Sequence, residues 1–375
     1  MAGPIDFQTR LVRIAGPGCL AGITFPDWIR LLADNRFAVD FPVCPRALLL
    51  TASSAVTSSV GFLDTLLYGR RIRDVAVTPP LFILGAWRSG TTHLHNLFCV
   101  DDRFAAPNLF QTMYPHSFLV FEPILRPLMD RFTPRKRFMD NMRMGLAEPA
   151  EDEMALGIMS LESNMLSWVF PRNASKYDNF LTFENATPRE CERWKQCLDL
   201  FVRKLSVRCG KPLVLKSPNH TARIKLLLEI YPDAKFLLIH RHPFDVFRSI
   251  CHMAQMVMPV WTLQRVPEER IPEIVVACCQ RLFQAFFDQV GLIPSGNFHA
   301  IPYQALAENP LSELANAYQA LGLPDFNVVR PQVAAYLDGQ AAYKRTEHRA
   351  LSPGDRERVV TAWKPAFDNW GYATE

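Results

Sequence analysis

The run from Leu81 to Leu94 leaves this chain the fewest options. Leu81, Phe82, Ile83 and Leu84 form a short apolar stretch that reads as a buried strand, Gly85 and Gly90 bound a loop, and a helical pattern runs from Thr91 to about Val100. A strand feeding a helix through such a loop aims backbone amides and the positive end of the helix dipole at one point, which suits an anion. Gly85 and Gly90 keep the GxxxxG spacing of a P-loop, but Thr91 stands where its lysine belongs, Thr92 takes the Ser/Thr position, and the positive charge lies inside the loop at Arg88. A nucleoside triphosphatase needs that lysine on its terminal phosphates and the hydroxyl on magnesium. The cradle of Arg88, Ser89, Gly90, Thr91 and Thr92 therefore suits a phosphate without suiting ATP.

A second segment fits the first. Residues 236–240 read as a buried strand ending at Arg241, and Pro243 suits the first turn of a helix. Asp245 and Ser249 lie four residues apart on that helix and share a face, so Arg241 and Ser249 can converge on another phosphate. Further strands are read at 213–215 and 298–301, and helices at 25–35, 151–170, 188–207, 221–230, 271–290 and 311–321. Strands alternating with helices predict an α/β fold with a mostly parallel sheet, whose ligands sit beyond the carboxyl ends of the strands. The cradle, Lys216 and Arg241 all fall at such ends. Residues 107–149 are rich in Pro, Met, Phe and Arg with no lasting period, as in a binding loop, a lid or a surface excursion.

Together, Arg88-Ser89-Gly90-Thr91-Thr92 and the unit from Arg241 through Pro243 and Asp245 to Ser249 resemble the sulfotransferases that use 3′-phosphoadenosine 5′-phosphosulfate (PAPS). The resemblance runs from about residue 79 to the end and is nearest the bacterial branch with an acidic motif, here Glu151-Asp152-Glu153. It implies a P-loop-like α/β domain over 79–375 behind an N-terminal helical region, 1–78, and transfer of a sulfuryl group to a hydroxyl without a required metal. It also implies that the cradle binds the 5′-phosphosulfate, that Arg241 and Ser249 bind the 3′-phosphate, and that Lys216, after an apolar strand, acts on the transferring group. Lys344 and Arg345 would belong to a late basic loop closing over the nucleotide, or to a solvated tail.

The base is where the chain departs from the family pattern. One position where relatives carry a histidine is Pro218, and one where others carry a glutamate is Gln111. Glu151 and Glu153 remain, then His116, with His220 behind them; clustered carboxylates raise one another's pKa, although an acidic triplet at a helix start also serves as a cap. A small-molecule kinase on the same loop ancestry and a nucleotide-binding scaffold without activity are the competing readings.

Charge and cysteine usage narrow the partners. A net charge of +4 with scattered Arg and Lys gives no nucleic-acid patch, and nine cysteines without a CxxC spacing predict reduced thiols in a cytoplasmic protein rather than a disulfide framework or a zinc site. Between 47 and 67 the only charge is Asp64, and Leu49, Ala52, Val56, Val60, Leu63 and Leu67 follow helical steps. That face is expected to pack on the domain, with an interfacial helix beside Arg70, Arg71 and Arg73 as the alternative. The same apolar segments lean the acceptor towards a hydrophobic, lipid-like alcohol and leave peripheral membrane contact open.

Overall fold

In the computed structural model, residues 18–131, 133, 145–265, 268–340 and 350–374 are described. Strands β1 (Leu81–Leu84), β2 (Val214–Lys216), β3 (Lys235–His240) and β4 (Phe298–Pro302) form one parallel sheet in the order β2-β1-β3-β4. Strand β1 is apolar and buried along its whole length, as are the middles of β2 and β3, because both faces of these strands are covered, whereas edge strand β4 is mostly half-buried and carries His299. Phe82, Leu84, Leu215, Phe236 and Leu238 point into one cluster, and their alternating neighbours Leu81, Ile83, Val214, Leu237 and Ile239 into another. The chain leaves β1 towards β2, then crosses back past it to β3 and β4, so the order reverses at β1. In such sheets the crevice at the reversal takes the ligand.

Helices α1 (Phe25–Asp34) and α2 (Cys44–Asp74) precede β1, and α3 (Thr91–Phe98) follows the cradle. After them come α4 (Leu109–Met113), α5 (Phe118–Met129), α6 (Glu153–Ser160), α7 (Pro188–Cys209), α8 (Pro243–Trp261), α9 (Ile271–Gln289) and α10 (Pro310–Ala320). Helix α1 begins as its sequence dictates, with Thr24 Oγ1 accepting from the Asp27 amide at 3.3 Å and Pro26 in the first turn. Trp28, Leu31, Leu50 and Ile72 of the first two helices join the same apolar cluster as Phe82, Leu215 and Trp194.

Two sequence expectations are corrected here. The helix read over 151–170 stops at Ser160, where Leu161 takes a left-handed φ of 64°, and resumes only as Leu166–Val169. The hydroxyls of the intervening turn compete with helical bonding: Ser160 Oγ accepts from the Glu162 amide at 3.0 Å, and Ser163 Oγ from the Met165 amide at 3.1 Å. Helix α2 forms as read, but of the face expected to pack on the domain only Val60 is buried. Leu49, Val56, Leu63 and Leu67 are exposed, while Leu50, Ser54, Thr57, Val60 and Asp64 point inward. The cause is an ion pair from a distant part of the chain: Lys204 of α7 meets Asp64 at 2.9 Å, with both side chains buried.

Candidate active site

All four strand ends contribute to one edge. Beyond β1 lies the cradle, where Gly85 has φ 146° and Gly90 φ 109°. A Cβ on Gly85 would stand 2.5 Å from the Ile239 carbonyl oxygen, and one on Gly90 2.5 Å from the Tyr303 ring. Glycine is thus required on both counts, conformation and space. Thr221 Oγ1 fixes the loop from beneath, accepting from the Gly85 amide at 2.8 Å. Arg88 adopts φ 66°, a region that costs a side-chain-bearing residue energy, and its Nε donates to Ser249 Oγ at 3.0 Å. That contact ties the two segments singled out from the sequence to each other.

Beyond β3, Arg241 Nη2 donates to Asp245 at 3.2 Å, and its guanidinium lies 4.6 Å over the ring of Tyr303, which follows β4. Arg248 also bonds Asp245. Burial pushes the Asp245 carboxyl up, but Arg241 and Arg248 more than offset this and hold it below its usual range. A cavity of about 880 Å³ opens here, lined by Arg241, His242, Asp245, Arg248, Tyr303 and Arg356 among others. Burial lowers the pKa of His242, which favours the neutral ring. With three guanidiniums and one carboxylate in its lining, two of the three paired to that carboxylate, the cavity keeps an excess of planar donors suited to phosphate.

At the β2 end, Lys216 is buried and its Nζ donates to Glu151 Oε1 at 2.6 Å and to Thr92 Oγ1 at 3.4 Å. One ammonium therefore touches both the cradle and the acidic motif. The motif and the segment after β2 pair residue by residue. Glu151 faces Lys216, Asp152 Oδ2 lies 2.5 Å from His220 Nε2, and Glu153 takes 2.8 and 3.0 Å bonds from the two terminal nitrogens of Arg223. The three carboxylates differ in access. The Glu151 side chain is 36% exposed, against 0% for Asp152 and 6% for Glu153. Burial raises the Asp152 carboxyl, yet the charge and hydrogen bond of His220 more than offset that and hold it below its usual range.

Glu153, a base candidate from the sequence, is paired with a buried arginine. Ser163 Oγ adds a third bond to it at 2.5 Å, and Arg223 is sandwiched by Phe183 and Trp194 at 5.1 and 5.0 Å. His116 sits elsewhere, packed against Gly61 of α2 beside Lys204. Burial and the Lys204 charge lower its pKa to about 4, and its Nε2 has no hydrogen-bond partner among the described residues. Lys344 and Arg345 lie outside the described residues. Gln111 closes a capping box with Asn108 and donates to buried Glu122 at 2.9 Å, so its amide holds helices α4 and α5 together.

Sequence reasoning missed Arg223 and Thr221. The available signal was the spacing of Lys216, His220 and Arg223, three basic residues set against three consecutive acids.

A model of the sulfotransferase family matches residues 79–327. An omega-hydroxy-beta-dihydromenaquinone-9 sulfotransferase of Mycobacterium tuberculosis is 36% identical over 352 residues, 94% of this chain and 90% of that protein, and its counterpart in Mycobacterium bovis matches equally. Two solved sulfotransferases share the fold. One, from Mycobacterium tuberculosis, is 21% identical with a TM-score of 0.65 over 90% of this chain and 92% of its own. The other, from Mycobacterium avium, is 16% identical with a TM-score of 0.72 over 98% of each.

Proposed function

This chain belongs to the sulfotransferase family and is a sulfuryl-transferring enzyme; on that premise we propose that its donor is PAPS, its acceptor the hydroxyl of a hydrophobic alcohol, and its working pair Lys216 and Glu151. The observation that carries this reading is the contact of Lys216 with both Thr92 and Glu151. The donor fits the residues present. The glycine cradle admits close backbone approach, and the cavity beside Arg241 has the volume and the guanidiniums for a nucleotide phosphate. Arg88, Ser89, Gly90, Thr91 and Thr92 would hold the 5′ end, Arg241 and Ser249 the 3′-phosphate, with Lys344 and Arg345 as the late basic loop. When bound, PAPS supplies the sulfuryl group and a stable nucleotide leaving group.

Glu151 is the carboxylate of its motif that a second substrate can reach, and it takes the proton of the acceptor hydroxyl as that oxygen attacks. Its protonation releases Lys216 from the ion pair, so the ammonium is offered to the oxygen on which negative charge builds. Asp152 with His220 and Glu153 with Arg223 anchor the two residues that follow Glu151, which restricts where the Glu151 carboxylate stands. The relative named for a hydroxylated dihydromenaquinone supports a hydrophobic acceptor.

The test is titration with 3′-phosphoadenosine 5′-phosphate (PAP) against ADP and ATP, then transfer of radiolabelled sulfate from PAPS to a panel of long-chain alcohols. PAP binding at least about tenfold tighter than ADP is expected, since a charge-assisted bond contributes about 1.5–3 kcal/mol. Preferred binding of ATP would support a kinase, and PAP binding without transfer to any alcohol a scaffold.

A further inference from the structure

Helix α2 buries two charged residues, Arg46 and Asp64, beside Leu50, Val60 and Ile72, and leaves most of its other large apolar residues outside. Its inward face holds Arg46, which donates to the Thr262 carbonyl at 2.6 Å, and Asp64, which pairs with Lys204 and accepts the Val120 amide at 2.8 Å. Its outward face holds Leu48, Val56, Phe62, Leu63, Leu66 and Leu67, with Phe62 and Leu66 each 68% exposed. At 3.6 residues per turn these positions fall in one sector, and at 1.5 Å per residue the stripe from 48 to 67 is about 30 Å long. No charged residue interrupts it. Arg70 and Arg73 continue the same sector at its end, with Arg71 beside them, all exposed. Ile124 and Leu128 of α5, which packs on α2, are exposed as well.

We propose that this face docks the enzyme on an anionic lipid bilayer, lying in the interface rather than crossing it. The helix is long and apolar enough to span a membrane. However, Asp64 and Arg46 are committed to protein partners on its other side, so only the stripe is available to lipid. The arginines select the occupant. A second copy would offer the same arginines with Asp74 as the nearby carboxylate, already 3.6 Å from Arg70, whereas an anionic surface gives the stripe an apolar phase and the arginines their counter-charge. The proposal deepens the acceptor reading above, because it brings the site to the phase in which a hydrophobic alcohol dissolves.

The experiment is co-sedimentation of the full chain with vesicles of equal parts phosphatidylcholine and phosphatidylglycerol, and with pure phosphatidylcholine. The wild type is expected to pellet with the mixed vesicles. Phe62→Glu/Leu66→Glu should weaken that binding at least about tenfold at an unchanged melting temperature, as two exposed apolar side chains leave the interface. Arg70→Glu/Arg73→Glu should abolish the preference for mixed over neutral vesicles. Wild-type protein left in the supernatant, or variants that bind as well as wild type, would overturn the proposal, as would a dimer that Phe62→Glu/Leu66→Glu dissociates. Vesicle binding without sulfation of any hydrophobic alcohol would sink the acceptor reading and leave the docking face standing.

Discussion

Replacing Glu153 by glutamine removes the carboxylate that faces Arg223 and leaves the arginine's charge in the core. Arg223 is fully buried, and both of its terminal nitrogens bond Glu153, at 2.8 and 3.0 Å. Breaking a buried pair from one side costs about 3–5 kcal/mol. The carbonyls of Leu181 and Phe180, at 3.2 and 2.5 Å, and the flanking rings still receive the guanidinium, which puts the loss near the lower end. Unfolding entropy of about 2.1 cal/mol/K per residue over 375 residues turns about 3 kcal/mol into a fall in Tm of roughly 4 °C. Arg223→Met in the same chain should recover at least about 1 kcal/mol of coupling, measured by urea unfolding of both single variants and the double. Turnover of Glu153→Gln, assayed below its Tm, should stay within about tenfold of wild type, because loss of a general base costs about a hundredfold or more. A hundredfold loss of turnover with Tm and PAP affinity unchanged would refute this reasoning and return the base to Glu153.

Three further outcomes follow from the geometry. Arg241→Ala should reduce the preference for PAP over adenosine 5′-phosphate by roughly ten- to a hundredfold, the range of one charge-assisted bond, and a retained preference would put the 3′-phosphate elsewhere. Gly90→Ala places a methyl 2.5 Å from the Tyr303 ring at φ 109° and should weaken PAP binding as the loop shifts, read by titration. Glu162 has its pKa raised by burial from the ordinary 4.5 to about 7, against a partial offset from Arg193. The folded state then holds the proton more tightly than the unfolded chain, so stability falls as pH rises from about 4.5 to 7 and levels off above. Glu162→Gln should lack that part of the slope in unfolding free energy, and an identical slope in both proteins would show that Glu162 titrates normally.

Much of the architecture was legible because the local signals agree with the global fold. Continuous apolar runs marked the first three strands, and the helix read over 271–290 appears as Ile271–Gln289 because its proline entry and apolar period coincide. The strand order was not legible, since each parallel strand pairs with a partner far along the chain. The face of α2 misled for a physical reason. Its apolar and polar residues both recur at helical steps, and what turns the polar set inward is Lys204, remote in sequence. The gathering of the cradle, Lys216 and Arg241 at the strand ends was readable from motifs, but the separate pairing of Glu151, Asp152 and Glu153 was not. Adjacent acids look alike in sequence, and only the positions of Lys216, His220 and Arg223 opposite them separate the exposed carboxylate from the two committed ones.

The most direct test of the account is sulfate transfer by Glu151→Gln with PAPS saturating. Glutamine keeps the shape of the side chain and removes its capacity to take a proton, and Lys216 loses an anionic partner at 2.6 Å. Turnover should fall by about a hundredfold or more, while PAP affinity holds or tightens because the ammonium no longer has to leave a carboxylate. Near-normal turnover in this variant would contradict the assignment of Glu151 as the base and with it the mechanism built on the Lys216 pair.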